Sequence, residues 1–164
     1  MAAPYPLLIK KVKTNGTETS VINTETEFGM VVSRVPFHFS GGTKEPYSNN
    51  FLDEEGIEVY LPDEGLLSES YEMEVSFIYK GAFDSLTTNL RSFLRYLRGK
   101  DGNGSRLFIY DTYNGVGRKD VYLKKVSPDV LVKQNIANAA GEEIATFNLT
   151  FEVCDPDTDI TLSI

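Results

Sequence analysis

Between Ser70 and Leu97 one periodicity gives way directly to another, and this junction limits the folds open to the chain. Tyr71, Met73, Val75, Phe77 and Tyr79 alternate with Ser70, Glu72, Glu74 and Ser76. A period of two puts the apolar groups on one face of a strand and the polar groups on the other. Gly81 interrupts the run, Asp84 stands where a helix N-cap acceptor is expected, and the apolar spacing becomes Leu86, Leu90, Phe93, Leu94, Leu97. At about 100° per residue these side chains share one sector, which predicts a helix over about residues 84–98 lying against a sheet. Gly99 after Arg98 is the expected helix end, where arginines suit the negative end of the macrodipole. A second half-buried strand is expected where Phe147, Leu149, Phe151 and Val153 alternate with Thr146, Asn148, Thr150 and Glu152, stopping at Asp155-Pro156.

The remaining signals are mostly for strands. Leu7, Leu8, Ile9 and Val12 predict a first strand, Asn15-Gly16 a hairpin turn, and Val21-Ile22 its return. Phe28 to Phe39 is apolar and β-branched enough for another strand, with Pro36 restricting it to an edge or ending it. Residues 40–69 carry Gly41-Gly42, Pro46, Asn49-Asn50, Gly56, Pro62 and Gly65, with only Ile57 to Leu61 reading as extended. A connection this long predicts a projecting arm or flap. Further strands are expected at Arg106 to Tyr110, Val121 to Val126 and Val130-Leu131-Val132, with Asn138-Ala139-Ala140-Gly141 leading into the last long one and a short alternating tail at Ile160, Leu162 and Ile164. The sum is α+β, a single domain over 1–164 built as a mainly antiparallel sandwich or barrel with one flanking helix.

A chain of 164 residues is long enough to bury roughly two-thirds of its extended surface. Nine Tyr and ten Phe with no Trp suit pleated surfaces. The net charge of −8 opposes nonspecific grip on a nucleic-acid backbone. Cys154 is the only cysteine, so no disulfide can form within the chain and a reducing cytoplasm is expected. The start Met1-Ala2-Ala3-Pro4-Tyr5-Pro6 lacks signal-peptide character, and no apolar run nears the ~20 residues that span a bilayer, so no membrane partner is expected.

Chemistry-bearing patterns are sparse. His38, the only histidine, has no second histidine with which to build a zinc site or serve a serine nucleophile. Gly99-Lys100 and Gly102-Asn103-Gly104-Ser105 follow a helix, whereas a phosphate loop precedes one, so they are read as a cap and a turn. Asp155, Asp157 and Asp159 are spaced like the start of a calcium loop, but Ile160 takes the place of its glycine. No catalytic residue, cofactor or metal is assigned. Arg91, Arg95 and Arg98 form an i, i+4, i+7 row on the predicted helix, rotated away from its leucines. Arginine's planar fork suits carboxylates, and Asp53, Glu54, Glu55, Glu58, Asp63 and Glu64 in the arm are expected to meet the row on a neighbouring subunit.

Taken in order, "YEMEVSFIYKG", "FDSLTTNLRSFLRYL", a glycine turn, "SRLFIYDTY", "DVYLKKV" and "ATFNLTFEVCDPDT" resemble the N-terminal domain of siphophage distal tail proteins. The resemblance spans about Ser70 to Asp159, and more loosely Leu7 to Phe39. Tail-tube proteins and the tubes of contractile injection systems share this design. The resemblance implies a self-assembled ring, most often a hexamer, in the hub joining tail tube to baseplate. It further implies an inner barrel made from sheets of neighbouring subunits, with the helix outside. The partners implied are other copies and other tail or baseplate proteins, with DNA only as cargo passing an acidic channel. The location implied is the virion tail, and the bacterial cytoplasm during assembly. Since the chain given ends soon after Asp155-Pro156, no second carbohydrate-binding-like domain is expected. A small β-sandwich module capturing carbohydrate or peptide through Tyr47, Tyr110 and Tyr113 is the alternative.

Overall fold

The computed structural model describes residues 3–39, 42–52, 55–82, 84–128 and 142–164, with backbone alone at Glu142. Its centre is the pair formed by β6 (Tyr71–Ala82) and β9 (Glu142–Val153), antiparallel and in unbroken register from Tyr71↔Val153 to Ala82↔Glu142. The inward sets meet face to face, with Met73 opposite Phe151, Val75 opposite Leu149 and Phe77 opposite Phe147. Phe77 and Phe147 stack at 5.7 Å between ring centroids, the cross-strand aromatic pairing that stabilises such ladders. Both alternating patterns in the sequence therefore describe one ribbon.

Five more strands complete the main sheet: β1 (Leu7–Lys11), β2 (Ile22–Asn23), β3 (Met30–Arg34), β7 (Leu107–Asp111) and β8 (Val116–Ser127). The order is β2-β1-β7-β8-β9-β6-β3, every pair antiparallel. The α+β, mainly antiparallel class is as expected, but the sheet is not closed into a barrel. Its two ends are tied instead at an isolated bridge. The Tyr5 N–H donates to the Val32 carbonyl at 2.9 Å, and the Val32 N–H donates back at 2.8 Å. The buried hydroxyl of Thr24 adds a second tie, accepting from the Leu7 N–H and donating to the Met30 carbonyl. Full closure would need a ladder along both ends, and β2 is too short to supply one.

Helix α2 (Leu86–Leu97) packs on one face of the sheet, burying Leu86, Leu90, Phe93 and Leu97, with Leu94 only partly buried. Phe93 packs edge-on against Phe77, and Asn89 donates to the Tyr79 hydroxyl. The expected cap at Asp84 is wrong. Ser85 precedes the helix in a helical conformation with no side-chain cap bond, and Asp84 has φ 63°. A capping side chain needs extended backbone, whereas Asp84 occupies the left-handed corner that turns β6 into the helix. At the other end Gly99 (φ 72°) ends α2 as expected, and a Cβ there would lie 2.6 Å from the backbone of Gly104.

The strand expected from Phe28 is shorter, because Thr24–Phe28 forms a one-turn helix, α1. Asn23 caps it through Oδ1, and Gly29 ends it in the left-handed region. The Asn15-Gly16 hairpin is present, with its return strand at β2. Strand β8 begins at Val116, earlier than expected, and the tail from Ile160 is not a strand, although Leu162 is buried. Val130-Leu131-Val132 and Asn138-Ala139-Ala140-Gly141 lie outside the described residues.

Candidate assembly surfaces

The polar stretch after β3 leaves the body as a ribbon. Strand β4 (Ser48–Asn49) pairs with β5 (Glu58–Val59) in a sheet of their own, separate from the seven-stranded one. The Tyr60 N–H donates to the Tyr47 carbonyl at 2.9 Å, and at the root Thr43 bridges Ser68 while the Glu69 N–H donates to the Gly42 carbonyl. Of the large apolar side chains exposed among the described residues, all but Tyr113, Tyr122 and Ile164 lie between Phe39 and Leu67. Leu52, Ile57, Leu61 and Leu67 are more than half exposed. A two-stranded ribbon is marginal alone in water, and apolar surface concentrated on one ribbon marks an interaction site.

Glu55, Glu58, Asp63 and Glu64 stand exposed on this ribbon, while Asp53 and Glu54 lie outside the described residues. On α2 the arginine row is exposed as expected. Beside it runs a shallow groove of about 310 Å³, floored by Leu90 and Leu94 and rimmed by Arg91, Arg95, Arg98 and Lys100. Among the described residues, no carboxylate pairs with these three arginines, and no cation pairs with the four arm acids. The structure thus brings the arginines together but does not join them to the arm within one chain.

The arm's two ends are anchored firmly. His38 stacks on Tyr71 with ring centroids 4.1 Å apart and planes 6° from parallel, and its backbone N–H donates to the Tyr71 hydroxyl. The guanidinium of Arg118, only 2% exposed, donates to the carbonyls of His38 and Gly117, each at 3.0 Å, and to the Asp159 carboxylate. At the other end the Ser68 hydroxyl donates to Asp157 and the Ser70 hydroxyl to Glu152. Sequence reasoning missed Arg118. Gly117, beside it, leaves no room for a side chain, since a Cβ there would sit 2.4 Å from the Ile160 carbonyl, so the tail packs directly onto β8.

These anchors also account for the chemistry-bearing types. His38 is a stacking group at the arm's root. The three aspartates of the calcium-like spacing go to different partners: Asp155 to Thr158 and Lys119, Asp157 to Ser68, Asp159 to Arg118. Among the described residues no cluster of metal-ligating side chains forms. Tyr113 stacks on Tyr5 at 5.1 Å, while Tyr47 lines a small hollow on the arm with Tyr60, Pro62 and Leu67. A buried ion pair was also missed. Lys11 is fully buried, 2.8 Å from Asp101 and 3.8 Å from the centre of the Tyr96 ring. Burial pushes the Lys11 ammonium below its ordinary range, with Asp101 opposing that shift. Among the described residues, no helix is long and apolar enough to cross a membrane. Compared with known proteins, the chain matches no family model and no curated protein.

Proposed function

We propose that this chain is a non-enzymatic structural subunit of a phage or prophage tail, a ring-forming distal-tail hub or tail-tube subunit. It acts by self-association and by docking to other tail or baseplate proteins. One observation carries the reading: an anchored ribbon bares its apolar side chains on a ladder too short to hold them folded alone. A partner surface that covers the ribbon buries apolar area at about 25 cal/mol per Å², which is the usual driving term of protein association. The ends of the sheet are a second reason: they are tied to each other only at Tyr5–Val32 and through Thr24, and ring closure pairs the remaining edges that otherwise invite aggregation. The family resemblance of the β6–α2–β7–β8–β9 run supports a tail over other assemblies. The charge of −8 suits a channel through which DNA slides without sticking. On this proposal the chain works in the virion tail and resides in the bacterial cytoplasm during assembly.

Light scattering coupled to gel filtration over a concentration series tests the proposal, with negative-stain electron microscopy of the heaviest species. The expected result is rings of one subunit number, a hexamer being the simplest. A strict monomer that instead captures sugars on a glycan array, and loses them on Tyr47→Ala or Tyr60→Ala, would replace this reading with a carbohydrate-binding module.

A further inference from the structure

We infer that the arm of one copy seats on helix α2 of the next, with Ile57, Val59 and Leu61 covering the Leu90–Leu94 groove and the carboxylates flanking that run, Glu55, Asp63 and Glu64, meeting Arg91, Arg95 and Arg98. The inference rests on the self-assembly proposed above and names the two surfaces that meet. Each surface supplies what the other lacks. The groove has an apolar floor, and four of its seven lining residues are cations. The arm has exposed aliphatic side chains and four exposed carboxylates, and neither set of charges is paired within the described chain.

Lengths agree as well. The run Ile57–Leu61 spans about 13 Å at strand rise, which fits within the roughly 16 Å of helix from Thr87 to Arg98. Arginine is the cation suited to this role, since its fork takes a carboxylate through two parallel hydrogen bonds and its weakly hydrated plane packs on apolar groups. Arm and groove belong to different elements of the chain, so the contact is head to tail. Repeated head-to-tail contacts close into a ring when the rotation allows it.

A charge-swap experiment on the full chain tests this. One variant carries Arg91→Glu, Arg95→Glu and Arg98→Glu. The other carries Glu55→Lys, Asp63→Lys and Glu64→Lys. All six side chains are exposed, and near-UV circular dichroism verifies the fold; a variant that loses it is replaced by a neutral set on the same surface, Arg91→Gln and Arg95→Gln on the helix or Asp63→Asn and Glu64→Gln on the arm. Each reversed variant alone is expected to self-associate at least about 100-fold more weakly than wild type, because like charges then face each other. Mixed one to one, the two are expected to regain wild-type assembly, and added salt to weaken it. Wild-type assembly by each reversed variant would overturn the inference and leave the self-assembly proposal standing. Weak variants that stay apart when mixed would also overturn it, because the two surfaces would then matter separately. Wild type monomeric up to about 1 mM would overturn both readings together.

Discussion

Lys11 shows how much of this molecule is decided by single side chains. It follows Leu7 and Ile9 in the inward phase of β1, so the strand carries an ammonium into the core. Asp101, in the turn after α2, meets it, and the Tyr96 ring lies across it. The two partners are not equivalent, because Lys11 is fully buried whereas the Asp101 side chain keeps about a quarter of its surface exposed (27%). Asp101→Ala is therefore expected to cost about 3–5 kcal/mol by stranding a buried charge, and Lys11→Met far less, since the remaining carboxylate reaches water. Urea unfolding of both variants at neutral pH checks the order. For Asp101, burial raises the pKa, but the hydrogen bonds from Lys11 and Asn103 outweigh it and the net shift is downward. A depressed carboxylate contributes stability above its unfolded pKa and loses it as pH falls through the folded one, so wild type should lose this contribution only below about pH 4. Nothing in the local pattern foretells the pair. A lysine in Leu-Leu-Ile-Lys-Lys looks like the solvated end of a strand, and its partner lies 90 positions further along. Arg118 was hidden for the same reason, since its partners His38 and Asp159 are distant in the chain and close only in the fold.

Among the elements, those with long periodic runs and the short strands β1, β2 and β7 were evident in advance, whereas α1 and the start of β8 were not. Strands β6 and β9 and helix α2 each repeat their pattern over twelve residues, enough for burial to outweigh local preference. The one-turn helix α1 has no such run, yet its punctuation was present: Asn23 as cap, Glu25 and Glu27 in the first turn, Gly29 as stop. At Asp84 the residue type suggested a cap, but aspartate also tolerates the left-handed corner, and the tight passage from β6 into α2 demanded the corner. These assignments predict different costs for two substitutions. Asn23→Ala removes two accepted N–H bonds and should cost about 1 kcal/mol. Gly99→Ala adds left-handed strain and drives a methyl into the Gly104 backbone, where nothing flexible can yield, and should cost about 2–3 kcal/mol. Chemical denaturation midpoints at constant m-value separate the two.

Taken together, the molecule divides its surfaces between self-sufficiency and incompleteness. The sheet and α2 fill one core with their inward side chains. Among the described residues, the arm adds nothing to that core beyond the groups at its root, and its two strands pair only with each other. That division makes the arm removable. Thr43 and Ser68 already face each other across an antiparallel bridge, so replacing residues 44–67 with Asn-Gly closes a two-residue hairpin turn where the ribbon now departs. The root contacts of His38 with Tyr71 and of Ser68 with Asp157 lie outside the deleted stretch and should survive. Unfolding free energy is then expected to stay within about 0.5 kcal/mol of wild type, the range of changes away from a packed core. Assembly, in contrast, should vanish in light scattering at concentrations where the intact chain forms rings. A shortened chain that still closes rings would move the interface to the sheet ends. A shortened chain that unfolds would mean that the ribbon supports the body, and its bared leucines and tyrosines would then need a structural explanation within one subunit.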